Sequence, residues 1–496
     1  MINITEAGSQ AITFPNTIAL TDGSHLSQLH VVRTVPAKRI VCRALWNNQD
    51  VYAKVFFGKD AEKYALRDKQ GIQKLLDAKI PTSNILFYGT SLDKATDGDS
   101  YVLILEAIGD AENIEVIWNR LQLCSNQRLK IATDLVFEVA RHHNAGLYQS
   151  DLYFKNFLQD GSLIYTLDGD GIRPLPKFDS GQTCLRNLAA LLSKLDVLEV
   201  EKWLVSLLKS YGKARRWTTL PRIELMQHLI NVHRNKIARS YADKKVFRTC
   251  TDVQVNADAK HYFAVARPYA DDVELSNVAL LDESLHAPAF KKGNTCTVGL
   301  LKSSPATNDA EKIVIKRYNV KSLWHGVMRS FRKTRAAISW ANAHRLKLLG
   351  IATIQPVSLL EERFFFSKLT RRSYFLSEFV DAPNVTEYFA NEHDKVKRAE
   401  LVKHIVELFY RLHLLKISHG DMKASNLKIV DNQPVLLDLD SMKHHRFGLI
   451  AKYRHARDLR RFMRNWQDDE SLVNAFKKAF KVVYIDHEAL KLAHIT

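Results

Sequence analysis

The chain is 496 residues long, 46% hydrophobic and 25% charged, with a formal net charge of +18. That length predicts two or more domains with cores of their own, and the ordinary composition excludes long disorder. Five cysteines, Cys42, Cys124, Cys184, Cys250 and Cys296, form no CxxC pair and meet no histidine cluster, which supports neither a zinc site nor a disulfide framework and makes a reducing cytosol the simplest home.

The start "MINITEAGSQAITFPN" has neither the basic nor the apolar part of a signal peptide, and no run approaches the roughly eighteen apolar residues of a membrane span. The first element that carries chemistry is the β-branched stretch "DVYAKVFFG", which places Lys54 on a strand. "YALRDKQGIQKLL" follows with Asp68, and "YVLILEAIGDAEN" reads as an apolar strand breaking into an acidic turn. "NAGLYQSDLYFKNFLQDGSLIYTLDGDGI" then brings Asp151, Asn156, Asp168 and Asp170 close together. The polar, basic segment "HRNKIARSYADKKVFRTC" (233–250) is the best boundary, giving domains 1–240 and 241–496, after which runs such as "KHYFAVARPY" restart the strand pattern.

In the second half, "EKIVIKRYN" (311–319) puts Lys316 at the end of a β-branched run. "YFLSEFVDAPN" (374–384) is again an apolar strand entering an acidic, Pro-containing turn. "SHGDMKASNLKIVDNQPVLLDLDSM" (418–442) carries His419, Asp421, Lys423, Asn426, Asp438 and Asp440. Its two apolar runs around "DNQP" predict a β-hairpin that returns Asp438 to the loop of Asp421. The intervals repeat: Asp151 to Asn156 and Asp421 to Asn426 are both five, while Asp151 to Asp168 and Asp421 to Asp438 are both seventeen. One spacing occurring twice predicts a tandem duplication.

The pattern H-G-D-x-x-x-x-N resembles the kinase catalytic loop H-R-D-x-x-x-x-N. In that loop the Asp orients the attacking hydroxyl and takes its proton, while the Asn and a later carboxylate, here Asp438, hold magnesium on phosphate oxygens. Lys316 resembles the strand lysine that reaches the α- and β-phosphates, and 374–384 resembles the hinge where adenine binds. The predicted fold is α+β: two tandem protein-kinase-like domains, each with a small β-rich N-lobe and a larger helical C-lobe. ATP and Mg²⁺ are the expected cofactors.

The positive charge is unevenly placed. Lys321 to Lys347 carries seven Lys or Arg and no acid, and Lys443 to Arg464 carries eight against the single Asp458. Basic segments with interleaved Trp, Phe and Leu suit an anionic membrane surface or a phosphorylated glycolipid. No recognisable nucleic-acid motif accompanies the charge, so nucleic acid is not expected. The expected location is cytoplasmic, peripheral on the inner face of the cytoplasmic membrane.

"HGDMKASNLKIV", "KKGNTCTVGLL", "FRKTRAAISWANAHRLKLLGIATIQPV" and, in the first half, "SDLYFKNFL" are similar to the bacterial lipopolysaccharide core kinase family, which phosphorylates heptose or Kdo sugars of the inner core. The resemblance implies that Asp421 is the base, Asn426 and Asp438 the metal ligands, and Lys316 the phosphate-binding lysine. Asp151, Asn156, Asp168 and Lys54 take those roles in the first half. There, Asp68 stands where a helix acid pairs with the lysine, but Gln149 and Ser150 precede Asp151 and the motif histidine is missing. The second half keeps His419, which reads as structural, but "AAISWANAHRL" offers no helix acid; Glu361 or Glu362 is the candidate substitute. Asp458 and Asn187 read as helix residues that brace the two loops. The implied function is an ATP-dependent kinase acting on a sugar hydroxyl of the lipopolysaccharide inner core. A pseudokinase scaffold or regulator of envelope glycolipid assembly is the alternative, and so is a small-molecule kinase. A protein kinase is disfavoured because only twenty residues separate Asp438 from Asp458 and no A-P-E follows.

Overall fold

The computed structural model describes residues 2–4, 12–14, 17–35, 38–92, 100–286, 291–292, 296–301, 312–319, 333–363, 370–485 and 487–495. The chain folds as two compact units, Met1–Arg234 and Asn235–Thr496, each mixing sheet and helix. Lys321, Arg329 and Arg332 of the first basic stretch lie outside the described residues.

The first unit opens on an antiparallel six-stranded sheet ordered Ile18–Ala19, His25–Val35, Arg39–Trp46, Gln49–Phe56, Tyr101–Glu106 and Ile85–Thr90. Because successive strand side chains point to opposite faces, Val51, Ala53 and Val55 enter one apolar cluster, whereas Phe56 joins the cluster under helix Ala61–Asp77. Lys54 shares the face of Phe56 and is therefore aimed at that helix. Helices Asn126–Asn144 and Val197–Ala214 follow, capped respectively by Ser125 and by a capping box of Asp196 and Glu199. They pack with Ser180–Leu192 through Leu135, Val139, Leu188, Trp203 and Leu207. A hairpin, Phe157–Asp160 with Leu163–Thr166, lies between the helices in sequence.

The second unit holds a seven-stranded sheet ordered Val253–Ala257, His261–Ala266, Pro356–Arg363, Thr370–Glu378, Ile313–Asn319, Cys296–Leu300 and Lys291–Lys292. From Pro356–Arg363 to Cys296–Leu300 it repeats the neighbour order of the first unit's Ile85–Thr90, Tyr101–Glu106, Gln49–Phe56 and Arg39–Trp46. The "KHYFAVARPY" run adds a strand beyond that core, pairing with Pro356–Arg363. Helix Arg335–Leu348 is capped by Thr334, whose hydroxyl accepts from Ala337 N. Helices Lys395–Leu414, Gly448–Met463 and Glu470–Val483 enclose an aromatic core of Phe409, Phe462, Phe476 and Phe480. The rings of Phe462 and Phe476 meet edge to face at 5.2 Å, the arrangement aromatic quadrupoles favour. Hairpin Leu427–Val430 with Gln433–Leu436 turns at Asp431 and Asn432, with φ +50° and +59°. Both residue types tolerate the left-handed backbone that a two-residue hairpin loop requires. Among the described residues no helix is long and apolar enough to cross a membrane.

Candidate active site

In the second unit the sheet and the hairpin bring Lys316 and Asp438 together, 122 positions apart in sequence, with Lys316 Nζ 2.5 Å from Asp438 Oδ1. The hairpin is stitched to the preceding loop by Leu437 N donating to Asn426 O at 2.9 Å. Asn426 Nδ2 donates to Asp421 O at 2.8 Å, so its acceptor oxygen takes no part in that bond. Asp438 sits at φ +55°, in the left-handed region that Asp, like Asn, visits more readily than other side-chain-bearing residues. Burial pushes its carboxyl up, but the Lys316 ammonium, together with the charges of His419 and Arg335, holds it below its ordinary value. Asp421, the loop acid, meets the Arg461 guanidinium on Oδ1 and Lys423 Nζ at 3.3 Å on Oδ2.

The loop itself is held from below. Asp458 accepts from His419 N at 2.7 Å and from Gly420 N at 3.0 Å. His419 is fully buried and its Nε2–H donates to Leu437 O at 2.8 Å. These contacts agree with the structural reading of both residues. Gly420 adopts φ +83°, and a Cβ there would stand 2.7 Å from Ser441 O, so this step of the motif admits no side chain.

The first unit builds the same frame with different contents. Leu167 N donates to Asn156 O at 2.9 Å, and Asn156 Nδ2 to Asp151 O at 2.8 Å. Lys54 Nζ lies 2.7 Å from Asp68 Oδ2 and 3.6 Å from Asp168 Oδ1. Gln149 occupies the place of His419; it is buried, and neither of its amide atoms meets a hydrogen-bond partner among the described residues. Asn187 Nδ2 donates to Gln149 O at 2.7 Å, bracing this loop as Asp458 braces the other. Burial, with the nearby Asp168 charge, pushes the Asp151 carboxyl above its ordinary value. Asp168 has a relaxed extended backbone, φ −114°.

Helix register explains the missing acid of the second unit. A Cβ on Gly71, three residues after Asp68, would collide with Gly169 O, the residue after Asp168. Asn342, three residues after Ser339, donates to Leu439 O, the residue after Asp438. Ser339 thus stands where Asp68 stands, and its hydroxyl meets Tyr318 OH at 3.2 Å. Glu361 and Glu362 do not replace the acid. Glu361 accepts from Thr334 Oγ1 at 2.6 Å, and Glu362 faces Arg371 and Arg372.

Four arginines that the sequence reading passed over complete the two sites. Arg335 pairs with Asp440 at 2.6 Å and Arg67 with Asp170, so each trailing acid ties its loop to the helix of its own unit. Arg461 reaches Asp421, and Arg39 reaches both Asp68, at 3.1 Å, and Asp168, at 3.3 Å. The repetition of Asp170 and Asp440 was the available signal for the first pair; nothing local marked Arg39.

The donor set of the second unit is one carboxylate and one amide oxygen, Asp438 and Asn426, which suits Mg²⁺ with phosphate oxygens and water making up the rest. Among the described residues no group of three or more His, Cys, Asp or Glu is placed to hold a metal by itself.

No curated protein matches this chain. A solved structure titled "WaaP in complex with acyl carrier protein" aligns at 18% identity over 42% of this chain and 88% of its own, with a TM-score of 0.30. Residues 301–484 match the family model described as the lipopolysaccharide kinase (Kdo/WaaP) family, and by that match this stretch is that of an ATP-dependent phosphotransferase.

Proposed function

We propose that the protein transfers the γ-phosphoryl group of ATP to a sugar hydroxyl, heptose or Kdo, of the lipopolysaccharide inner core, and that the second of two tandem kinase-like units does the chemistry. The observation that carries this reading is the meeting of Lys316 and Asp438 beside Asn426 and Asp421, inside the stretch that matches the family. Lys316 would orient phosphate, Asp438 and Asn426 would hold Mg²⁺, and Asp421 would position the acceptor hydroxyl and take its proton. The metal would neutralise phosphate charge. Arg461 and Lys423 flank Asp421 with positive charge, which suits an acceptor that is itself phosphorylated. The repeated strand order and the repeated loop-to-hairpin bond support a duplicated kinase-like fold.

A peripheral position on an anionic membrane surface accompanies this reading. Phe447, Leu449, Ile450 and Tyr453 are exposed at the start of helix Gly448–Met463, Leu449 at 83%, among exposed Arg446, Arg454 and Arg457. An apolar edge rimmed by arginine fits the lipid headgroup boundary. The test is nucleotide-induced thermal stabilisation together with phosphotransfer to purified core glycolipid. Stabilisation by ATP with Mg²⁺ and incorporation of phosphate are expected; absence of both would favour a scaffold.

A further inference from the structure

Arg39 and Cys296 occupy one position in the two units. Arg39 pairs across its hairpin with Phe56, two residues after Lys54, and Cys296 pairs with Tyr318, two residues after Lys316. Cys296 is close enough to Lys316 and Asp438 to feel both charges. A guanidinium in that position reaches further. Arg39 is largely buried and bridges Asp68 at 3.1 Å and Asp168 at 3.3 Å.

The consequence is electrostatic. In the first unit two carboxylates already face two cations, Arg39 and Lys54, so the set is neutral before any metal arrives. The Asp168 oxygen that accepts no hydrogen bond among the described residues is the one facing Lys54 at 3.6 Å. Mg²⁺ binds oxygen at about 2.1 Å in near-octahedral geometry, and here it would share one carboxylate with an ammonium and a guanidinium. In the second unit Asp438 has Lys316 as its ion-pair partner among the described residues, and a thiol where the guanidinium would be. Resting on the kinase reading above, we infer that Arg39 takes the place of the divalent cation in the first unit, which therefore binds no Mg²⁺ and leaves metal-bound nucleotide to the second.

Titration calorimetry on the full chain, with a non-hydrolysable ATP analogue and Mg²⁺, counts the sites. One site per chain is expected in the wild type, two after Arg39→Cys, and none after the reciprocal Cys296→Arg. Should either variant fail to fold, Asp168→Asn is expected to leave the single site intact and Asp438→Asn to remove it. Two sites in the wild type would overturn the inference while leaving the kinase reading in place. No gain of a site in a folded Arg39→Cys protein, or a site lost on Asp168→Asn, would overturn it too. No site in the wild type would overturn the kinase reading itself.

Discussion

The two halves differ most at single residues. Asp421 has His419 two positions before it and Lys423 two after, whereas Asp151 has Gln149 and Tyr153. Substituting Asp421→Asn is expected to lower turnover about a hundredfold or more, the usual loss on removing a general base, while Asp151→Asn lowers it far less. Steady-state phosphotransfer on both variants checks this, and a dead Asp151 variant beside an active Asp421 variant would reverse the roles of the halves. Gln149 offers a second test. Its buried amide meets no hydrogen-bond partner among the described residues, and an unsatisfied polar group costs about 1–3 kcal/mol, so Gln149→Met should raise the urea midpoint of the first unit's transition. A lowered midpoint would show the amide to be satisfied. Spacing within one loop is legible in sequence because local geometry fixes it, as with Asp421 and Asn426. Arg39 was not legible: its partner Asp168 lies 129 positions away, and a lone arginine on a strand has no signature.

Among the elements, helix Gly448–Met463 joins the Asp421 loop to the exposed surface. Its buried side carries Asp458, which holds the backbone of His419 and Gly420, and its later turn carries Arg461 at Asp421. Asp458→Ala would leave the buried His419 N–H and the half-buried Gly420 N–H without this acceptor, at about 1–3 kcal/mol for the buried group, and is expected both to destabilise the second unit and to lower kcat. Unchanged kcat in a folded variant would show that the loop holds its shape unaided. The exposed start of the same helix predicts adsorption to anionic vesicles that raised salt releases, because attraction is screened beyond roughly 8 Å at physiological ionic strength. Replacing Leu449 and Ile450 by Ser should weaken sedimentation with vesicles severalfold at low salt; equal sedimentation would contradict a lipid-facing edge. The basic charge of this segment was evident from sequence, but which side chains face outward was not, since Asp458 and His455 are buried by tertiary packing on the same helix.

The whole molecule carries an acid sensitivity written into its cores. Burial holds His142 and His143 in the first unit and His344 in the second at about 4, below the ordinary 6.5. The unfolded chain therefore binds more protons between those values, so stability is full above pH 6.5 and falls as the pH drops towards 4, by up to on the order of 3 kcal/mol per histidine. Urea midpoints should decline between pH 7.5 and pH 5, and a flat profile would contradict buried neutral imidazoles. The repeated order of strand lysine, loop acid and hairpin acid was readable because each motif is local and the intervals match. The strand Val253–Ala257 at the far edge of the second sheet was not, since edge pairing leaves no interval to compare. The proposed reaction is phosphorylation of the lipopolysaccharide core at the Asp421 site. Its most direct test is mass spectrometry of core oligosaccharide from cells lacking this protein, complemented with wild type or Asp421→Asn. Loss of one phosphate is expected, restored by wild type and not by the variant; identical masses throughout, or full restoration by Asp421→Asn, would contradict phosphorylation at this site.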